Sequence, residues 1–309
     1  MIEGRKVEKN FGEKKGIFDV SIRIPEGIVY GLVGSNGAGK STLLRVLSGV
    51  YQQDSGTVTV DGEKLWENPS VKGRIALLAD DFYFPASMTM KGMADLTEAL
   101  CPDFDRKRYR SLTDLFGLNE KALSGSFSKG MKRQAAIVLA LSRRPKYLLL
   151  DETFDGLDPV MRRLVRGLIA EEILDRQMTA VISSHSLREL EDTSDMLALL
   201  HRGSLVLESS IEALKERMFK MQVAFDTPFD ASSFQALQLL RFQKRGSVAQ
   251  LIVEGNAAEA EQILRQMNPL LLDILPLTLE EVFDLEMEKL GYAFQMEDGS
   301  AGVSEGGQE

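Results

Sequence analysis

The feature that most constrains the fold is a glycine-rich loop between a buried strand and a helix. The apolar segment 28–33 is typical of a strand buried in a parallel sheet, and it is followed directly by Gly34, Ser35, Asn36, Gly37, Ala38, Gly39, Lys40, Ser41 and Thr42. This run fits G-x-x-x-x-G-K-[ST], in which backbone N–H groups surround a phosphate, Lys40 reaches the β- and γ-phosphates, and Ser41 offers a hydroxyl to Mg²⁺. A helix predicted over 42–47 would point its positive end at the anion. The loop therefore predicts a nucleoside triphosphate site.

A second buried strand is predicted over 147–150, and it ends in two acids, Asp151 and Glu152. Ligands of open α/β sheets bind at the carboxyl ends of the strands. We expect Asp151 to hold Mg²⁺ through water and Glu152 to polarise an attacking water. A strand that merely ends in solvated acids would look the same in isolation, and the phosphate loop upstream favours the functional interpretation.

The order of predicted elements indicates an α/β fold with a mixed, mostly parallel sheet, because strands and helices alternate through the first two thirds of the chain. A helical subdomain is expected at about 82–144. Beyond residue 215 the pattern changes to a small α+β domain over 216–295, in which Thr278 and Glu281 have capping-box spacing. We expect the Gly-, Ser- and Glu-rich tail, 296–309, to be disordered.

Composition excludes several classes of function. The chain has 309 residues, enough for two domains, and a net charge of −9, which argues against nucleic acid as the main ligand. A single cysteine, Cys101, excludes an intrachain disulfide framework and a cysteine zinc site. No apolar run reaches the roughly 18 residues of a membrane helix. The first ten residues include several charged side chains and have no apolar core, unlike a secretory leader. We therefore expect a soluble, cytoplasmic chain that meets membranes only through a partner.

Three more short motifs follow in a fixed order, at 127–131, at 156–159 and at Ser184 and His185. With the loop at 34–42 and the acids after 148–150, the set resembles the ATP-binding subunits of ABC transporters. By that resemblance 34–42 is the Walker A motif, 148–151 the Walker B motif, 127–131 the signature motif and 156–159 the D-loop. The resemblance covers about residues 1–215, and the C-terminal part resembles, more weakly, the extension found on ABC-2-type exporters.

The resemblance implies a P-loop ATPase with ATP and Mg²⁺ as cofactors. Glu152 would be the catalytic glutamate, and His185 would bond the γ-phosphate or the attacking water. Phe11 would stack on adenine, although a phenylalanine near a strand edge could equally belong to the core. Ser128 and Gly130 would contact ATP on a second subunit of a head-to-tail dimer; a serine before a helix can also be only a cap.

The family also implies a separate membrane permease, with the ATPase peripheral on the inner face of the cell membrane and export as the favoured direction. The permease would select the substrate, and both homodimers and heterodimers stay open. The clustered aromatics Phe82, Tyr83 and Phe84 are candidate permease contacts, with core packing an equal alternative.

This sequence departs from the family pattern at several positions. The common signature is Leu-Ser-Gly-Gly-Gln, and Phe127, Lys129 and Met131 differ from it. The γ-phosphate arm of most members carries a glutamine, whereas the segment 77–81 has none and Asp80 is the nearest match. An acid can still ligate Mg²⁺ through water, so Asp80 is a candidate metal ligand.

Two other functions compete with a transporter ATPase. A soluble ABC ATPase acting on ribosomes or DNA would carry either two phosphate loops or a long coiled coil before the signature motif. This chain has one such loop, and the interval before Ser128 is too short for a coiled coil. A regulator that binds ATP without hydrolysing it is disfavoured because Glu152 is present.

Overall fold

The computed structural model describes residues 1–12, 14–81 and 83–289. By its contacts the chain divides into a first unit, Met1–Glu212, and a second unit that begins at Ala213. The tail expected to be disordered, 296–309, and Phe82 both lie outside the described residues. Of the helices in the described ranges, none combines the length and the apolar character that crossing a membrane requires.

The first unit contains two sheets and seven helices within the described residues. Its strands are β1 (Ile2–Phe11), β2 (Lys14–Ile24), β3 (Val29–Val33), β4 (Ser55–Val60), β5 (Glu63–Lys64), β6 (Ile75–Leu78), β7 (Tyr147–Asp151), β8 (Thr179–Ser184), β9 (Met196–His201) and β10 (Ser204–Ser210). Its helices are α1 (Lys40–Leu47), α2 (Pro69–Gly73), α3 (Met90–Leu100), α4 (Arg106–Leu115), α5 (Lys129–Ser142), α6 (Pro159–Arg176) and α7 (Leu187–Glu191). A further helix, α8 (Ile211–Arg217), crosses the boundary between the units.

The central sheet has six strands in the order β10-β9-β3-β8-β7-β6. All of its pairs are parallel except β9 with β10, so the predicted mixed, mostly parallel sheet is confirmed. Every residue of β3, β7 and β8 is buried, which explains their continuous apolar runs. Because these three strands are parallel, the phosphate loop, the two acids at the end of β7 and the residues at the end of β8 share one edge of the sheet.

An antiparallel sheet in the order β2-β1-β4-β5 packs with α1 around a common core. Leu43, Leu44 and Leu47 of α1 are fully buried in that core. Burying three leucines on one face fixes how the helix lies, and thus how the loop before it enters.

The predicted helical subdomain contains α3, α4 and α5. Its apolar side chains are unequally buried: Met93 and Leu112 are buried, but Leu96, Leu100 and Leu115 are about half exposed or more. Helix α5 begins at Lys129, because Ser128 caps it and accepts the Met131 N–H at 3.2 Å. Of the candidate permease contacts, Tyr83 is 82% exposed and Phe84 is partly buried.

Within the described residues, the second unit has a four-stranded antiparallel sheet in the order β12-β13-β11-β14 and two α-helices, α9 and α10. The strands are β11 (Met218–Ala224), β12 (Gln238–Arg245), β13 (Val248–Glu254) and β14 (Leu271–Leu275), and the helices are α9 (Ala257–Gln266) and α10 (Leu279–Lys289). Leu264 and Ala260 of α9 pack on one face of the sheet, against Met221 and Leu251. The unit is thus the small α+β fold expected from the sequence, with one strand, β12, that the sequence did not predict.

The predicted capping box at the start of α10 is present. Thr278 Oγ1 accepts the Glu281 N–H at 3.3 Å, and the Glu281 carboxylate accepts the Thr278 N–H at 3.0 Å. Lys220 Nζ also contacts Glu281 at 2.8 Å. Burial alone would raise the pKa of Glu281, but the hydrogen bonds from Lys220 and Thr278 outweigh it and hold that pKa below its usual value.

Candidate active site

A cavity of 420 Å³ opens beside the phosphate loop, at the carboxyl end of β3. It is lined by Phe11, Gly16, Asn36, Gly37, Ala38, Gly39, Lys40, Ser41, Thr42, Arg45, Tyr51 and Glu152. Seven of the nine predicted loop residues therefore line it. The other two, Gly34 and Ser35, lie beneath it and accept hydrogen bonds from Lys40 Nζ through their carbonyls at 2.7 and 3.3 Å.

The loop conformation depends on glycine. Gly37 and Gly39 have φ of 82° and 105°, in the left-handed region that other residues avoid. A Cβ on Gly34 would lie 2.3 Å from the carbonyl oxygen of Leu200. Gly39 also begins α1 without any side-chain cap, so the first N–H groups of the helix are available to an anion.

Lys40 connects the phosphate loop to Glu152. Its side chain is 4% exposed, and Nζ lies 3.2 Å from Oε1 of Glu152. Glu152 has φ of 44°, an unfavourable conformation for a glutamate that functional sites often retain. A phosphate that reaches Lys40 must therefore compete with the Glu152 carboxylate.

Asp151 and Glu152 make different contacts. Asp151 is buried, and the hydroxyl of Ser183 on β8 donates to its Oδ1 at 2.8 Å. The same hydroxyl accepts the Glu152 N–H at 3.0 Å. Ser183 therefore fixes the end of β7, a role that becomes visible only when β7 and β8 are paired.

His185 lies beside Glu152, together with an acid that the sequence analysis did not identify. Ligand atoms of Glu152, Asp155 and His185 all lie within 4.8 Å of one another. His185 is half exposed, and its Nδ1 is 3.6 Å from Oδ2 of Asp155, too far for a hydrogen bond. Burial raises the pKa of Asp155 more than the nearby histidine lowers it.

Ser128 and Gly130 sit at the start of α5, and neither occurs among the described residues that line the cavity. The Ser128 side chain accepts the Met131 N–H, so it is at least a helix cap. Gly130 lies close to the segment 156–159: a Cβ built on it would be 3.7 Å from the carbonyl oxygen of Gly156.

Asp80 forms an ion pair with Arg133 of α5. The Asp80 side chain is 55% exposed, whereas that of Arg133 is 4% exposed. Its neighbour Asp81 contacts Arg45, a residue of the cavity wall, at 2.6 Å. Asp80 itself is not among the described cavity residues, and its role as a metal ligand stays a prediction.

The sequence analysis missed Gly16, Arg45 and Tyr51 as cavity residues. Arg45 follows Ser41 by one helical turn, so helical spacing could have placed it on the same side of α1. Tyr51 and Gly16 had no local signal, because the pairing of β1 with β2 and β4 brings their segments to the loop. Phe11, the predicted adenine contact, lines the cavity and is 44% exposed.

Comparison with known proteins agrees with this geometry. A protein-family model described as "ABC transporter" matches residues 17–155. The ABC transporter ATP-binding protein YtrB of Bacillus subtilis is 31% identical over 283 residues, covering 92% of this chain and 97% of YtrB. The bacitracin transport ATP-binding protein BcrA of Bacillus licheniformis is 33% identical over 224 residues, 70% of this chain and 72% of BcrA.

The fold also matches solved structures. The ATP-binding cassette MJ0796, solved as a dimer in a post-hydrolysis state with ADP and Pi, superposes with a TM-score of 0.61 at 20% identity, covering 68% of this chain and 99% of that one. The phosphate loop, the two acids at the end of β7, the fold and the match to nearly the whole length of YtrB agree. The chain therefore belongs to the ABC transporter family, as an ATP-hydrolysing, ATP-binding subunit.

Proposed function

We propose that residues 34–42, Asp151, Glu152 and His185 form one Mg–ATP hydrolysis site that powers a separate permease. The observation that carries this proposal is the contact between Lys40 and Glu152 on the wall of the phosphate-loop cavity. A phosphate-binding cation and a candidate general base are thus in direct contact, 3.2 Å apart. An arrangement of this kind can hold the γ-phosphate and the attacking water at the same time.

The residues present fit a magnesium ion. Mg²⁺ prefers oxygen donors, and the hydroxyl of Ser41 in the cavity wall and the buried carboxylate of Asp151 supply them. The bond from Ser183 holds Asp151 in place. The ion would neutralise charge on the phosphates when bound; Asp80 could join it through water only after leaving Arg133.

The protein's own groups carry the remaining steps. The loop N–H groups and the start of α1 bind and orient the phosphates, while Lys40 balances their charge. Once a phosphate has replaced Glu152 as the partner of Lys40, the Glu152 carboxylate accepts the proton of the attacking water. His185, next to Glu152, donates a hydrogen bond to the γ-phosphate or to that water.

A second subunit would complete the site. Ser128 and the exposed start of α5 lie outside their own cavity, so they are free to close on the ATP of a partner chain. The dimeric MJ0796 cassette supports this arrangement. We further propose a location at the cytoplasmic face of a membrane and a direction of export. Similarity to a bacitracin transport ATP-binding protein supports the role in transport.

The purified chain tests the proposal directly. We expect Glu152→Gln to bind ATP and to hydrolyse it about 100-fold more slowly or worse, and Lys40→Ala to lose ATP binding. Glu171→Gln, which neutralises an exposed glutamate on α6, is the matched control and should behave as wild type. Hydrolysis by Glu152→Gln at the wild-type rate would contradict the assignment of the base.

A further inference from the structure

We propose that Tyr51 forms the second wall of the subsite for the nucleotide base, at a steep angle to Phe11, and that Arg45 holds Tyr51 in that position. This inference rests on the proposed binding of ATP in the phosphate-loop cavity. Phe11 and Tyr51 are called the aromatic corner below. Together they make the cavity selective for a nucleoside triphosphate over a triphosphate that has no base.

The aromatic corner has the geometry of a base-binding wall. The centroids of the two rings are 5.4 Å apart, and their planes meet at 69°. Both side chains line the same cavity as Lys40, and the Phe11 ring is 44% exposed. A flat heteroaromatic ring lying on one wall would present its edge to the other, an arrangement that aromatic groups favour.

Besides Phe11, the Tyr51 ring contacts Arg45. The guanidinium carbon of Arg45 lies 5.8 Å from the Tyr51 ring centroid, within range of a cation–π interaction. Arg45 is in turn tied to Asp81 by an ion pair of 2.6 Å. The arginine is therefore a positioning residue, and it also connects the aromatic corner to the segment that follows β6.

Phe11 is held by a separate set of contacts. The carboxylate of Asp54 accepts the backbone N–H of Asn10 and a hydrogen bond from Lys9 Nζ, both at 2.7 Å. Hydrogen bonding from Lys9 is the main reason that the pKa of Asp54 lies below its usual value. Because Asn10 directly precedes Phe11, these bonds anchor the end of β1 next to Tyr51. Both walls are thus fixed before a ligand arrives, which lowers the entropy lost on binding.

The chemistry of the cavity identifies the class of ligand. The loop N–H groups and Lys40 suit a phosphate chain, and the two aromatic rings suit a planar base. A purine offers more stacking area than a pyrimidine, so we expect ATP and GTP to bind more tightly than CTP and UTP. Inorganic tripolyphosphate uses only the loop end and separates the two contributions.

The test compares dissociation constants for ATP and for inorganic tripolyphosphate by titration calorimetry. We expect Tyr51→Ala to weaken ATP about 5- to 150-fold, the range that loss of one stacking contact produces, and to change tripolyphosphate less than about twofold. Tyr51→Phe keeps the ring and should bind ATP as wild type does. Tyr83→Ala, which removes a tyrosine that is 82% exposed, is the matched control and should change neither constant.

Each remaining outcome overturns a defined part of the argument. If Tyr51→Ala leaves the ratio of the two dissociation constants unchanged, the role of Tyr51 as a second wall for the base is refuted, even if Lys40→Ala loses both ligands. Equal weakening of both ligands is one such result, and it would assign Tyr51 to packing. If Lys40→Ala binds both ligands normally, the proposed function fails instead. Arg45→Gln should weaken ATP less than Tyr51→Ala does; a larger effect, or one shared with tripolyphosphate, would refute its positioning role.

Discussion

Neutralising Glu152 should strengthen ADP binding, because Glu152 competes with phosphate for Lys40. The two side chains are 4% and 22% exposed, and their charged atoms lie 3.2 Å apart. ADP has to displace the carboxylate from Lys40 before its β-phosphate can take that place. In Glu152→Gln the competing charge is gone, while the size and shape of the side chain are kept.

The size of the effect follows from the burial of this pair. Exposed ion pairs contribute about 0.2–1 kcal/mol, and hydrogen bonds to charged groups contribute about 1.5–3 kcal/mol. A partly buried pair falls between them, at about 1–1.5 kcal/mol, which corresponds to a five- to twelvefold lower dissociation constant for ADP.

ADP is the right ligand for this measurement because it cannot be hydrolysed by the site. The dissociation constant is measured by calorimetry with EDTA, so that metal binding does not contribute. Asp155→Asn is the matched control, since it removes a carboxylate within 4.8 Å of Glu152 that makes no described contact with Lys40. Unchanged ADP affinity in Glu152→Gln, or an equal gain in Asp155→Asn, would refute the competition for Lys40.

Three further perturbations test other parts of the structure. Asp80→Ala leaves the buried guanidinium of Arg133 without its carboxylate, so urea unfolding should show a loss of about 1–3 kcal/mol, and a change within about 0.5 kcal/mol would contradict it. Gly34→Ala places a Cβ 2.3 Å from the Leu200 carbonyl and should weaken ADP about tenfold or more by displacing the loop, whereas normal affinity would show that the loop adapts. The pKa of Glu281 is lowered in the folded state, so its contribution is present above pH 4.5 and is lost as the pH falls below that value. Glu281→Gln should thus be less stable than wild type at pH 7, and the gap should narrow as the pH falls from 4.5 through the lower pKa of the folded state; a gap that stays constant over this fall in pH would refute the assignment.

The sequence by itself determined the phosphate loop, the two acids at the end of β7 and the parallel core. A strand buried on both faces must be apolar throughout, so β3 and β7 were visible as continuous runs. The loop was equally visible because its backbone requires glycine where φ is positive, as at Gly37 and Gly39. These signals are local: each depends only on a residue and its immediate neighbours in the chain.

Strand β1 was not predicted, since its alternation is broken. Its pairing with β2 shifts register between Gly4 and Val7, and Lys6 has φ of 47°. A bulge of this kind moves side chains from one face to the other and removes the two-residue period. Strand β12 has a similar register shift, between Leu239 and Arg241.

Only the tertiary structure decided which distant side chains meet. Tyr51 reaches Phe11 because β4 pairs with β1, and Asp80 reaches Arg133 because α5 lies against β6. Ser183 and Asp151 likewise meet through the register of β8 on β7. Such contacts leave no periodic trace in a single sequence, because they are set by packing between segments that are far apart along the chain.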